Sequence, residues 1–234
     1  MAYEDIAQIL MIASAFALLI GYHLRLFIRL HRRPDTTSIG LANNMRALWV
    51  KNMMAEGKKD VLPVQTLRNL TMAASFLAST AIIVGLGILN LAIGSETMPA
   101  ASQLPIFIGF HSHTLWTIKL MLLWAVFSFC FYNFMLAVRY YNHTALLINV
   151  PPDQHTSEAL HRPGFLVRLP QLSGVAPGVR MVAEVFNQGA AHYTLGMRGY
   201  YLVVPIALWL MGAIWLFAGA LGLVLVLHRI DSTA

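Results

Sequence analysis

Apolar residues run almost unbroken through four long stretches, at about residues 6–24, 70–93, 110–138 and 200–227, and charged residues gather at their flanks. The third stretch is cleanest over residues 120–138, between Lys119 and Arg139. Strands of an outer-membrane barrel need only about ten residues of alternating polarity. These runs are far longer and apolar on every face, so they predict helices, which also satisfy their own backbone hydrogen bonds in lipid. At a rise of about 1.5 Å per residue even the shortest covers roughly 28 Å, one hydrocarbon core. The expected fold class is an all-α membrane protein with four transmembrane helices plus amphipathic cytoplasmic helices, in one integral membrane domain over residues 1–234. The first stretch reads as a retained anchor. Glu4 and Asp5 stand where a signal peptide would be basic, and Ala13, Ala15 and Ala17 only weakly imitate a cleavage site.

Composition agrees: 58% of the residues are hydrophobic and 11% charged, too little polar surface to face water on all sides. The placement of the basic residues predicts orientation. Arg25, Arg29, Arg32, Arg33, Arg46, Lys51, Lys58, Lys59 and Arg68 lie in the connection of residues 25–69. Arg139, Arg162, Arg168, Arg180 and Arg198 lie in the connection of residues 139–199, whereas residues 94–105 hold neither Lys nor Arg. The positive-inside rule then makes both basic connections cytoplasmic and puts both termini outside, in a bacterial inner (plasma) membrane. The net charge of +6 is thereby explained without nucleic acid, which is not expected as a partner. The expected partners are the lipid bilayer, anionic lipids and further copies of the chain as a homo-oligomer. The single cysteine, Cys130, cannot make an intrachain disulfide.

The two cytoplasmic connections carry helical patterning of their own. Leu41, Met45, Leu48, Trp49 and Met53 recur near helical period after the turn signal of residues 34–36, which predicts an amphipathic helix on the membrane or against the bundle. Val179, Val182, Val185, Phe186 and Tyr193 predict a second from residue 177 to about 193, with Arg180 and Glu184 spaced to pair across one turn. Five prolines in residues 151–177 predict irregular chain between. The absence of Pro and Gly over residues 111–150 predicts that the third helix continues past the bilayer. Ala74 with Ala78, Ser75 with Ser79, and Gly212, Gly219 and Gly222 mark places where helices can approach closely.

Candidate chemistry is sparse. None of the four stretches contains Asp or Glu, which disfavours a proton-coupled carrier built on a midplane carboxylate. No nucleotide-binding, zinc-protease or serine-hydrolase signature occurs, and no catalytic residue is expected. No cofactor is expected either. His111, His113 and His228 at the outer face are weak candidates for a metal or haem site, and His23, His31, His143 and His192 fall near the inner one. The bland reading, interfacial imidazoles bonded to water or lipid, is preferred because no ligand spacing motif is present. Lys119 reads as a lysine snorkelling to the outer surface.

The strongest polar group lies at the inner mouths of the helices. Gln65, Arg68, Asn69, Asn133 and Arg139 are candidate ligand-binding residues for a small anion, since guanidiniums grip phosphate or carboxylate in pairs of hydrogen bonds. Arg25, Arg29 and Arg46 are candidate lipid-headgroup contacts. Ordinary snorkelling of interfacial arginines accounts for most of these positions, with Arg68 and Arg139 the exceptions because amides lie near them.

Several segments resemble a family of bacterial and plant membrane proteins known as domain of unknown function 599. They are Tyr22-His23-Leu24, residues 33–37 and 44–50, and most specifically residues 64–75, VQTLRNLTMAAS. The resemblance covers nearly the whole chain. It implies an integral membrane protein and transfers no activity or site residue. The leading functional expectation is a non-enzymatic channel, transporter or binding protein for a small anionic solute or lipid headgroup. Alternatives are a structural or accessory subunit of a membrane complex, and, less favoured, a haem- or metal-carrying redox subunit.

Overall fold

The computed structural model describes residues 2–32, 37–55, 61–94, 113–151 and 176–232. Six helices follow in order: α1 (Ala2–Arg32), α2 (Ser38–Ala55), α3 (Val61–Gly94), α4 (His113–Leu147), α5 (Pro177–Leu208) and α6 (Ala213–Ser232). No strand occurs among the described residues. Four helices are long and apolar enough to cross a bilayer, within Ile6–Arg32, Val61–Gly94, His113–Leu147 and Ala213–Asp231. His111 and nearly all of the proline-rich segment lie outside the described residues. As the missing prolines and glycines predict, α4 is one helix of 35 residues, about 52 Å long.

The fourth apolar stretch is not one helix. Residues 200–208 end α5, and the apolar helix that could cross begins only at Ala213. Tight bonds from Leu210 N to Ala207 O, Met211 N to Leu208 O and Gly212 N to Trp209 O close a turn between them. Gly212 has a φ of 144°, which a side chain would make strained. Hydropathy cannot reveal this break, because the turn residues Trp209, Leu210 and Met211 are as apolar as the helices they join.

The chain forms two compact units. The first comprises Met1–Ser38, Ala81–Cys130 and Arg198–Ala234. In it Ala15 and Leu19 of α1 pack on Leu216 and Ala220 of α6. The Phe16 ring meets the Trp209 ring edge-on at 5.6 Å just before α6 begins. Contacts therefore progress along both helices in the same sense, from Phe16 with Trp209 to Tyr22 with Asp231, and α1 and α6 run in the same direction. Gly219 of α6 lies against Leu208 and Pro205 of α5, so α6 folds back along the end of α5. Lys119 does not simply reach outward: its Nζ sits 5.4 Å from the Trp209 ring centroid, a cation–π contact.

The second unit comprises Ile39–Thr80 and Phe131–Met197. Its core joins Val50 and Met54 of α2, Leu67 and Ala74 of α3, Ala137 and Tyr141 of α4, and Val182 and Phe186 of α5. Of the stripe predicted for α5, Val179, Val182 and Phe186 are buried and Tyr193 packs against them while Val185 is only partly covered, and Arg180 Nε donates to Glu184 Oε1 at 3.0 Å. Helix α2 forms where expected. Its inward face is Gly40, Ala47, Val50 and Met54, while Leu41, Met45 and Leu48 of the predicted stripe are about half exposed. Both faces of α2 are apolar, so periodicity alone could not choose between them. Helices α4 and α5 run antiparallel here, with Phe134 beside Tyr193 and Tyr141 beside Phe186.

Candidate functional site

The densest polar contacts of the second unit join α2 to α5. Asn187, fully buried, donates through Nδ2 to the Asn43 carbonyl at 3.1 Å. Its Oδ1 accepts from Arg46 Nε at 2.8 Å, and Arg46 Nη2 donates to Asn43 Oδ1. A guanidinium is thus held between two amide oxygens, and no carboxylate among the described residues pairs with it. Burial pushes the Arg46 pKa down, with the Tyr141 hydroxyl acting the other way, yet an arginine remains charged at neutral pH. Neutral amides orient the charge without cancelling it, which is what an anion site requires.

The cluster sits at a definable depth along α4. The apolar run of residues 120–138 ends at Arg139, and Tyr140 and Tyr141 follow directly. Gly189, half a turn beyond Asn187, lies against both tyrosines. Arg46 is therefore anchored where the helix leaves its apolar segment.

One turn further along α5, His192 donates through Nδ1 to Asn133 Oδ1 at 3.0 Å, and its ring stacks on Tyr140 at 5.5 Å. Asn133 is buried and finds here the partner that an amide in an apolar span needs. Burial lowers the His192 pKa below its usual 6.5. Above about pH 6.5 the ring is neutral folded and unfolded alike. As pH falls the unfolded chain takes up the proton first, so this stability is lost toward acid. The unfolding temperature of the purified protein is expected to fall between pH 7 and pH 5, and His192→Asn should flatten that fall. Equal slopes for both proteins would refute the assignment.

A second polar cluster lies within the first unit. Arg198 Nη2 donates to Asp231 Oδ1 at 2.8 Å and Oδ2 at 2.9 Å, and the Tyr22 hydroxyl donates to Oδ2 at 2.6 Å. Both charged side chains are about nine-tenths buried. This joins α1, α5 and α6 through residues up to 209 positions apart, and no sequence spacing announces it. All three bonds are accepted by Asp231, so the cluster reads as a clasp between helices.

The residues singled out from sequence are distributed otherwise than expected. Gln65, Arg68 and Asn69 of α3 and Arg139 of α4 are exposed, while Asn133 is buried against His192, so the five do not converge on one pocket. Arg25 and Arg29 are exposed on α1, and Arg46 enters the polar network with Asn43 and Asn187. His113 and His228 are exposed. Among the described residues no three of His, Cys, Asp and Glu gather as metal ligands. The asparagines at 43 and 187 were passed over. Their available signal was an amide in an otherwise apolar helical face, twice.

Four bilayer-length apolar helices define a multi-pass α-helical membrane protein. The family model described as "Protein of unknown function, DUF599" matches residues 10–234, and the chain belongs to that family, as segments 22–24, 33–37, 44–50 and 64–75 led one to expect. No curated protein and no solved structure matches the chain.

Proposed function

We propose that this is a non-enzymatic binding or transport protein that takes the phosphate or carboxylate of a small anionic solute or lipid headgroup at Arg46, on the cytoplasmic side. The observation that carries this is the half-buried Arg46 guanidinium, gripped by Asn43 and Asn187 with no acidic partner among the described residues. An uncompensated charge withdrawn from water is costly, and an external anion offsets that cost. Arg46 supports the reading better than the exposed set of Gln65, Arg68, Asn69 and Arg139, which would meet solvent or headgroups individually. Inorganic phosphate titrated against the purified protein should raise its unfolding temperature by a few degrees, and Arg46→Ala should abolish the rise. An unchanged rise in Arg46→Ala would remove the proposal.

The proposed orientation keeps residues 25–69 and the start of α5 in the cytoplasm. Because α6 runs in the same direction as α1 and folds back along the end of α5, this reading has α5 carry the chain outward across the membrane as a fifth passage, and it puts the C-terminus on the cytoplasmic face, opposite the N-terminus. His228 and Arg229 then join the other basic residues inside. An accessory role in a membrane complex is the second reading, favoured by the exposed polar group Gln65, Arg68 and Asn69 on α3.

A further inference from the structure

We infer that α2 is a lipid-interface helix and that the anion delivered to Arg46 is the phosphate of an anionic phospholipid; this rests on the anion-site reading above and specifies its source. Helix α2 is tied to α1 by five residues and to α3 by five, each reaching at most about 21 Å end to end, so it cannot leave the ends of two membrane-spanning helices. Its inward face is committed to the core through Ala47, Val50 and Met54. Its outward face presents Leu41, Met45 and Leu48, a row of large apolar side chains that water would not favour. The acyl–headgroup boundary takes such a face readily, and that is the chemistry of an interfacial helix.

Charge selects the kind of lipid. Arg46 lies on one flank of α2 and exposed Lys51 on the other, and the connection that contains them carries nine Lys or Arg residues. A surface rich in anionic headgroups complements it. Depth agrees as well. Arg46 is anchored through Asn187 beside Tyr140 and Tyr141, immediately past Arg139, where an apolar helix reaches headgroup level. The acyl chains would lie along Leu41, Met45 and Leu48 while the phosphate reaches the guanidinium on the flank of the same helix.

The test compares the full chain reconstituted in phosphatidylcholine vesicles with the same vesicles containing phosphatidylglycerol, reading the unfolding temperature by tryptophan fluorescence. Phosphatidylglycerol should raise it by about 5 °C. Arg46→Gln should lose the rise. Arg46→Gln also disturbs the bonds to Asn43 and Asn187, so Met45→Ser with Leu48→Ser, both exposed, provides a fold-neutral arm that should lose at least half of it. Equal temperatures in the two vesicle types would overturn the lipid source, as would a phosphatidylglycerol response unaltered in both variants. A response to inorganic phosphate that depends on Arg46, with none to phosphatidylglycerol, would leave the anion site standing and sink the lipid source alone. No response to either probe would sink both.

Discussion

Asp231→Asn is expected to cost the folded protein about 3 kcal/mol, the largest effect of any single substitution outside the apolar core. The carboxylate accepts two bonds from Arg198 and one from Tyr22, at 2.8, 2.9 and 2.6 Å, in surroundings that leave both charged side chains about nine-tenths buried. Removing the negative charge strands a largely buried guanidinium whose ion pair among the described residues is with Asp231. Tyr22→Phe removes only a hydroxyl and should cost about 1 kcal/mol. The double variant Arg198→Leu with Asp231→Leu removes both charges and should lie much nearer the wild type than either single change. Equilibrium unfolding in mixed micelles gives all four values. A double variant as unstable as the sum of the singles would show that the clasp is not an ion pair in energetic terms.

Gly196→Ala is expected to destabilise by about 1–3 kcal/mol, against the usual helix preference of alanine over glycine by about 1 kcal/mol. A Cβ at residue 196 would stand 2.7 Å from Phe134 Cε1 and 2.8 Å from Cζ, and Phe134 is fully buried, so its ring has nowhere to retreat. The reversal of sign is diagnostic of the α4–α5 contact. Phe134→Leu in the Gly196→Ala background should recover part of the loss, whereas in the wild-type background it should cost stability. Independent, additive effects of the two changes would contradict the close approach.

The elements were legible because hydropathy and helical period report directly on them. The length of α4 followed from the absence of breakers, and the Arg180–Glu184 pair from a spacing of four residues. Less is legible where two signals of equal strength compete. Helix α2 carries apolar residues on both faces, and periodicity marks the stripe of Leu41, Met45 and Leu48 without telling that Ala47, Val50 and Met54 take the core. Around Gly212 the turn is as apolar as the helices beside it, and only Pro205 and the glycine itself hinted at a break. The polar clusters were less legible still. Arg46 meets Asn187 across 141 positions and Tyr22 meets Asp231 across 209, and separations of that kind leave no periodic trace. Gln65, Arg68 and Asn69 lie three and four residues apart and so share one face of α3, but that face is exposed, and spacing within one helix does not tell whether another element closes over it.

The central claim is the proposed orientation, in which the connection carrying Arg46 and the end of α6 share the cytoplasmic face of the membrane. The direct measurement appends an epitope tag after Ala234 and places Lys51→Cys in a Cys130→Ser background, then probes both from each side of sealed, oriented membranes. Tag and thiol should be hidden from impermeant antibody and maleimide outside intact cells, and both should react in inverted vesicles. A C-terminal tag recognised on intact cells, with the thiol still protected, would contradict the return of α6 alongside α1.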